Sequence, residues 1–130
     1  MLVVTFRTDK PEAEIGLFED QAKTDYVTWQ AHRELSNTLL IKLKELLEKN
    51  NKTWADVEGV VIYKGPGSFT GLRIGFSVAN TIAYSEAIPV VSSSGDAWIV
   101  EGIERLKTSE NEKVALPEYG GEANTTKPRK

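Results

Sequence analysis

The residues with most chemical potential are Gly65-Pro66-Gly67-Ser68-Phe69-Thr70-Gly71-Leu72-Arg73. Two glycines and a proline make a tight turn directly after the apolar run Val60-Val61-Ile62-Tyr63. Ser68 and Thr70 then offer hydroxyls that can cap the first turn of a helix. A strand, a glycine turn and a helix N-terminus together aim free N–H groups at one spot, which is the arrangement of an anion site. Gly65, Gly67, Ser68, Thr70 and Arg73 are its candidate residues, with Arg73 as a clamp on the anion. The competing reading is a steep turn that only delivers the helix, with Arg73 in a local ion pair to Asp9 or Glu86. A phosphate-hydrolysing P-loop is excluded: Leu72 follows Gly71 where a lysine is required, and Lys64 stands before the turn. A dinucleotide GxGxxG is absent as well.

Other catalytic chemistry is thinly supplied. His32 is the only histidine and there is no cysteine, so thiol nucleophiles, disulfides and thiolate metal sites are ruled out. A lone histidine at a strand–helix junction reads as a cap or a surface group. Carboxylates are plentiful but fall into no pattern that places them on one site. No metal site and no cofactor is expected, and a nucleotide at the glycine loop has no support beyond the loop itself.

The elements that must position the loop follow from periodicity. Leu2–Phe6 reads as a buried strand, Ala13–Glu19 as a second with Ile15, Leu17 and Phe18 inward, and Tyr26–Trp29 as a third. The two short connections make an antiparallel meander. Arg33–Lys49 is a helix on which Leu35, Leu39, Leu43, Leu46 and Leu47 form a stripe, with Leu40 beside it and Ile41 off it. Thr53-Trp54-Ala55-Asp56 is a capped helical turn, with Trp54 as a lid on the core. Val60–Tyr63 is a strand apolar on both faces. The loop helix runs from Gly71 to Glu86. Pro89–Val91 is a strand, Ser92–Ser94 the cap region of a last helix over Gly95–Leu106, and Val114–Leu116 an edge strand.

The loop helix carries Gly71, Gly75, Ala79 and Ala83 at intervals of four, a bare ridge that lets another helix approach closely. Leu72, Ile74, Phe76, Val78 and Ile82 surround it. One sheet cannot bury all of these, and each apolar side chain buried is worth about 1.5–3 kcal/mol. A second packing partner is therefore expected. Leu39, Leu43 and Leu46 of the first helix and Gly71, Leu72, Gly75, Phe76, Ala79 and Ala83 of the loop helix are the candidate interface. On this reading Gly75→Leu blocks the approach and leaves the fold intact.

The run Gly65–Arg73 resembles the signature of the TsaB (YeaZ) family, Gly-x-Gly-Pro-Gly-Ser-Phe/Tyr-Thr-Gly-Leu/Val-Arg, with Tyr63 in place of the first glycine and Lys64 at the variable position. The resemblance covers about the first hundred residues, the family's N-terminal lobe. It implies an α/β, RNase H-like (actin/Hsp70-type) single lobe with a mixed sheet, an antiparallel opening meander and flanking helices. Residues 1–106 would be that lobe and 107–130 a strip with a mobile tail, most of the second lobe being absent. Pro117 and Tyr119 resemble the family's closing Pro-x-Tyr-x-Arg, with Gly121 at the arginine. In the family's Ile/Val-Asp-Thr-Ser strand end, the positions fall on Arg7, Thr8 and Asp9, so a phosphate or metal role there is not implied, and Arg7 reads as a salt-bridge residue. The catalytic relative TsaD carries a His-x-x-x-His pair, whereas His32 is followed by Ser36 at that spacing.

What the resemblance implies is a non-catalytic subunit for threonylcarbamoyladenosine modification of tRNA. It would bind and activate a TsaD-type transferase, with a TsaE-type ATPase joining the assembly. Alternatives are a homodimeric interaction module formed through the same helices, and a peptidase of the glycoprotease type. The chain has 16 basic and 19 acidic residues and a net charge of −3, which gives no electrostatic case for autonomous tRNA binding, so tRNA is expected only through the complex. No apolar run approaches a membrane span or a signal segment, so no membrane role and a cytoplasmic location are expected.

Overall fold

The computed structural model describes residues 1–119. The expectations for Gly121 and for the tail over 125–130 lie outside the described residues. Five strands form one sheet in the order β3-β2-β1-β4-β5. β1 (Leu2–Arg7), β2 (Glu12–Glu19) and β3 (Ala22–Gln30) make the antiparallel meander, while β4 (Gly59–Tyr63) and β5 (Val90–Ser93) add parallel to β1. The parallel strands need crossovers, which α1 (Leu35–Lys49) and α2 (Phe69–Glu86) supply; α3 (Trp98–Lys107) follows β5.

The core has two layers, one on each side of the sheet. Leu2, Val4 and Phe6 of β1, Ile15 and Leu17 of β2, and Val60 and Ile62 of β4 point to one face, where they meet the α1 leucine stripe and Leu72, Phe76 and Ile82 of α2. Val3, Val61 and Val91 point to the other and meet Trp98, Ile103 and Leu106 of α3. The strict alternation along β1 and β4 is the two-residue period of a strand covered on both faces. Trp54 lies half-buried against the larger layer, in a turn whose Asp56 carboxylate accepts from the Thr53 N–H at 2.9 Å.

Three sequence expectations change here. β3 begins at Ala22 instead of Tyr26. Its first residues are exposed, so no apolar alternation announces them. Ser92 and Ser93 belong to β5 and cap no helix; α3 starts at Trp98 without a side-chain cap. Val114–Leu116 is not a strand. It runs as an extended strip in which Asn80 of α2 takes the place of a neighbouring strand: its Nδ2 donates to the Ala115 carbonyl at 3.0 Å and its Oδ1 accepts from the Ala115 N–H at 2.8 Å.

The same strip seals the outer edge of β5. The Val90 N–H donates to Asn111 Oδ1 and the Ser92 N–H to Glu112 Oε2, while the Val90 and Ser92 carbonyls accept from the Glu112 N–H and from Arg105 Nη1. A β-edge left with free N–H and C=O groups is a template for pairing, and here side chains occupy it.

Candidate functional site

The glycine turn lies where the C-terminal ends of β1 and β4 meet the start of α2. Gly65 has φ +113°, a conformation that a side chain would strain, and the carbonyl of Glu118 in the strip closes over it. Gly67 packs directly on Asp9, whose carbonyl accepts the Ser68 N–H at 2.8 Å. The Ser68 hydroxyl accepts the Gly71 N–H at 3.2 Å and so caps α2 as its position suggested. Ser94 Oγ donates to the Gly65 carbonyl, and the Glu118 N–H donates to the Lys64 carbonyl. Much of the turn's polar backbone is therefore engaged by the protein's own atoms. Its geometry is that of a turn clamped between Asp9 and the strip.

The bare ridge of α2 faces inward. A Cβ on Gly71 would overlap the Thr8 carbonyl, and one on Gly75 would overlap the Thr8 hydroxyl. Thr8, fully buried at the end of β1, donates that hydroxyl to the Gly71 carbonyl at 2.7 Å. The absent side chains bring α2 against Thr8, not against a second helix. The candidate interface residues Leu39, Leu43, Leu46, Leu72, Gly75, Phe76, Ala79 and Ala83 are all buried in the lobe's own core, and Gly71 is half-buried on Thr8. That assignment of residues is corrected: the sheet and Thr8 already cover the surface they present. A spacing of four tells that a helix face is bare, and nothing about which neighbour fills it.

What the two helices leave to solvent is the seam between them. Leu40 (51% exposed) and Ile41 (58%) stand on the outer side of α1. Leu40, Trp54, Ser77, Val78, Thr81 and Ser85 line a groove of about 240 Å³. It continues toward the start of α2 past Ser36, Ile74 and Arg73. The off-stripe position of Ile41 was the sequence signal for this second face.

Beside the turn, Thr8, Lys10, Pro11, His32, Arg33, Ser68, Thr70 and Gly71 line a wider cleft of about 510 Å³. His32 is exposed on the short 3-10 turn His32–Glu34. Arg73 forms no ion pair among the described residues, neither with Asp9 nor with Glu86; its guanidinium lies 5.4 Å from the Phe69 ring centroid. Asp9 is taken by Arg7, which grips it through Nε and Nη2 at 2.8 and 2.9 Å. The same guanidinium stacks 3.9 Å over Tyr63. Arg7 is thus the salt-bridge residue expected of it.

Next to this pair, Glu14 accepts from Lys10 Nζ and from Tyr26 Oη, both at 2.6 Å. Burial alone would raise the Glu14 carboxyl, but these two hydrogen bonds and the charges of Lys10 and Arg7 hold it below the usual carboxylate range. Tyr26 is pushed above the ordinary tyrosine range, first by burial and then by its bond to Glu14. The sequence pattern alone did not single out this cluster, because its members come from β2, β3 and the turn between β1 and β2. Among the described residues no group of three or more His, Cys, Asp or Glu side chains is placed to hold a metal ion. No helix among the described residues is long and apolar enough to cross a membrane.

A two-layered lobe with this sheet order and this clamped glycine turn defines an RNase H-like domain. Its backbone superposes on YeaZ from Pseudomonas aeruginosa with a TM-score of 0.67 at 22% identity, covering 72% of this chain and 43% of that one. RuvC from Thermus thermophilus shares the fold at 0.51 and 11% identity, covering 72% of this chain and 64% of that one. Residues 27–108 match the family model described as "TsaD: tRNA N6-adenosine threonylcarbamoyltransferase". Over 78 residues the chain is 35% identical to the Bacillus subtilis "tRNA threonylcarbamoyladenosine biosynthesis protein TsaB", covering 60% of this chain and 34% of that protein. The chain belongs to the family of that model, and curated TsaB proteins are among the relatives it resembles. It spans about a third to a half of the length of the curated relatives it matches.

Proposed function

We propose that this chain serves tRNA threonylcarbamoyladenosine biosynthesis as an accessory subunit that docks on a TsaD-type threonylcarbamoyltransferase and stabilises its active arrangement. The relatives' names supply the process. The observation that carries the docking is the α1/α2 seam, where Leu40 and Ile41 are exposed beside the Trp54–Val78 groove. A lobe with both sheet faces already covered has no internal use for these side chains. Leu40 and Ile41 are already about half covered, so burying the remainder of the two in a partner is worth about 1.5–3 kcal/mol, a contribution to an interface whose rim is the polar row Ser36, Ser77, Thr81 and Ser85.

In this reading the chain contributes contacts and no bond-making group of its own. A TsaE-type ATPase joins the same assembly, tRNA is held by the whole of it, and the assembly works in the cytoplasm. The test is light scattering on this protein, alone and mixed with the TsaD-type subunit from the same organism, for the natural chain and for Leu40→Asp. A one-to-one complex that Leu40→Asp abolishes, with circular dichroism unchanged, is the expected result. A homodimer that ignores the other subunit would shift the function of the seam to self-association. A heterocomplex indifferent to Leu40→Asp and Ile41→Asp would remove the seam from the interface.

A further inference from the structure

β3 is the outermost strand of the sheet, and no strand among the described residues pairs its far side. Its first half is irregular. Leu17 faces Asp25 and Phe18 faces Lys23, which leaves Thr24 as a bulge. Beyond the bulge, two hydrogen bonds show which way the backbone groups point. The Ala31 N–H donates to the Pro11 carbonyl at 3.0 Å, toward β2. The Tyr26 N–H donates at 2.8 Å to the Asp25 carboxylate, outside the ladder. Alternation then turns the N–H and C=O groups of Tyr26, Thr28 and Gln30 outward, and those of Val27 and Trp29 toward β2.

An edge of this kind accepts another strand unless something guards it. Asp25 is placed as the guard. Its Oδ1 takes the first outward N–H, while its Oδ2 accepts from Asn50 Nδ2 at 2.9 Å and pairs with Lys49 Nζ at 3.2 Å. Both partners belong to the C-terminal end of α1, so a helix end pins this side chain across the mouth of the edge.

The regular stretch Tyr26–Gln30 is complementary to itself. Two copies laid antiparallel about an axis at Thr28 put Thr28 opposite Thr28, Tyr26 opposite Gln30 and Val27 opposite Trp29. Outward groups then meet outward groups, as a ladder requires. Val27 against Trp29 is a β-branched–aromatic pair, Thr28 against Thr28 is a hydroxyl pair, and no like charges oppose each other. Val27 and Trp29 pack on the α1 side of the sheet and Tyr26 on the α3 side, so both layers of core continue across the junction. An axis at Tyr26 would run the ladder into the bulge, and one at Gln30 would run it off the strand into the His32 turn. An unrelated extended peptide would use the same backbone groups and none of these side-chain pairs.

We infer that the Tyr26–Gln30 edge is a pairing surface for the same edge of a second copy of this chain, and that Asp25, pinned by Lys49 and Asn50, is the latch that holds it shut. In the paired register the Tyr26 N–H donates to the Gln30 carbonyl of the second copy, in the place where the Asp25 carboxylate now stands. The surface is separate from the Leu40–Trp54 seam and does not depend on the partner proposed above.

The experiment is sedimentation equilibrium over a concentration series, with amide exchange followed by NMR, on the full chain, natural and Asp25→Ala. In the natural chain the Tyr26 amide exchanges slowly and the Thr28 and Gln30 amides fast. Opening the latch restores one hydrogen bond at each end of the ladder, so Asp25→Ala dimerises more tightly than the natural chain by about tenfold or more. Thr28 and Gln30 become protected as that dimer fills. The change strands no partner: Asn50 Nδ2 also donates to the Leu46 carbonyl, and Lys49 is exposed. Asp25→Val, which favours a strand and offers no acceptor, repeats the test in a second chain. Adding Thr28→Pro to Asp25→Ala removes the donor at the axis. Proline is tolerated there because the missing N–H points away from β2, so the dimer is lost with circular dichroism unchanged. Adding Leu40→Asp instead leaves the dimer intact.

Asp25→Ala and Asp25→Val chains no more dimeric than the natural one would overturn the inference. So would a dimer that survives Thr28→Pro, or one that Leu40→Asp dissolves, which would place the contact at the helix seam. Fast exchange of the Tyr26 amide in the natural chain would remove the latch.

Discussion

Gly75→Ala isolates the closest packing event in the lobe. In an ordinary helix interior the change gains about 1 kcal/mol, because alanine is the better helix former. Here the new methyl group overlaps the Thr8 hydroxyl and lies 3.2 Å from Thr8 Cβ and Cγ2. Thr8 is fully buried and its hydroxyl is committed to the Gly71 carbonyl, so it has no free rotamer to retreat to. Overpacking of this kind costs about 1–3 kcal/mol, and the displaced hydrogen bond adds about 1 kcal/mol. The net expectation is destabilisation by about 1–3 kcal/mol, or roughly 4–12 °C in Tm for a chain of this size. Gly71→Ala should cost more, since its methyl group meets the Thr8 carbonyl and backbone yields less than a side chain. Urea unfolding followed by tryptophan fluorescence measures both. The cause is read from a double-mutant cycle: in a Thr8→Ala background the penalty of Gly75→Ala should shrink by at least about 1 kcal/mol. A Gly75→Ala protein as stable as the natural one, or an unchanged penalty without the Thr8 hydroxyl, would refute the close approach. The expectation that Gly75→Leu spares the fold is reversed by the same contact.

Three further outcomes follow from side chains described above. Thr5 is fully buried and its hydroxyl has no partner, so Thr5→Val should raise stability by about 1 kcal/mol in the same urea assay; a loss would mean that the hydroxyl is satisfied in solution. Glu14 and Asp25 both have folded-state pKa values below the ordinary range. Stability they contribute is complete above the unfolded value and is lost as pH falls through the folded one. Acid unfolding should therefore set in below about pH 4.5, and Glu14→Gln should flatten that limb relative to the natural chain. Asn80→Ala removes both bonds to Ala115 and should speed tryptic cleavage after the exposed Lys113 several-fold, seen by mass spectrometry, with unfolding midpoints shifted little.

The parts of the fold legible in the sequence are those governed by local physics. The α1 leucine stripe, the two-sided β4 strand, the Ser68 cap and the Thr53–Asp56 turn each depend on residues a few positions apart, and each stands where its pattern put it. The illegible parts depend on a distant chemical partner. Ser92 reads as a cap until Glu112 and Arg105 are brought to it across β5. Val114–Leu116 reads as a strand until a side chain of α2 takes the pairing role. The ridge of α2 reads as an interface because its bareness is encoded locally, whereas the group that fills it, Thr8, is more than sixty positions away.

The sealing of β5 leaves the sheet with pairing capacity on one side only. Among the described residues no strand pairs the outer border of β3, where the Asp25 carboxylate takes the Tyr26 N–H, while the opposite border is closed by Asn111, Glu112 and Arg105. Two copies that joined through their β3 edges would use up the open edge of each, and no third copy could add to either end. Edge-to-edge assembly of this lobe is thus self-terminating at a two-fold pair, and a growing filament requires that the β5 seal first be broken.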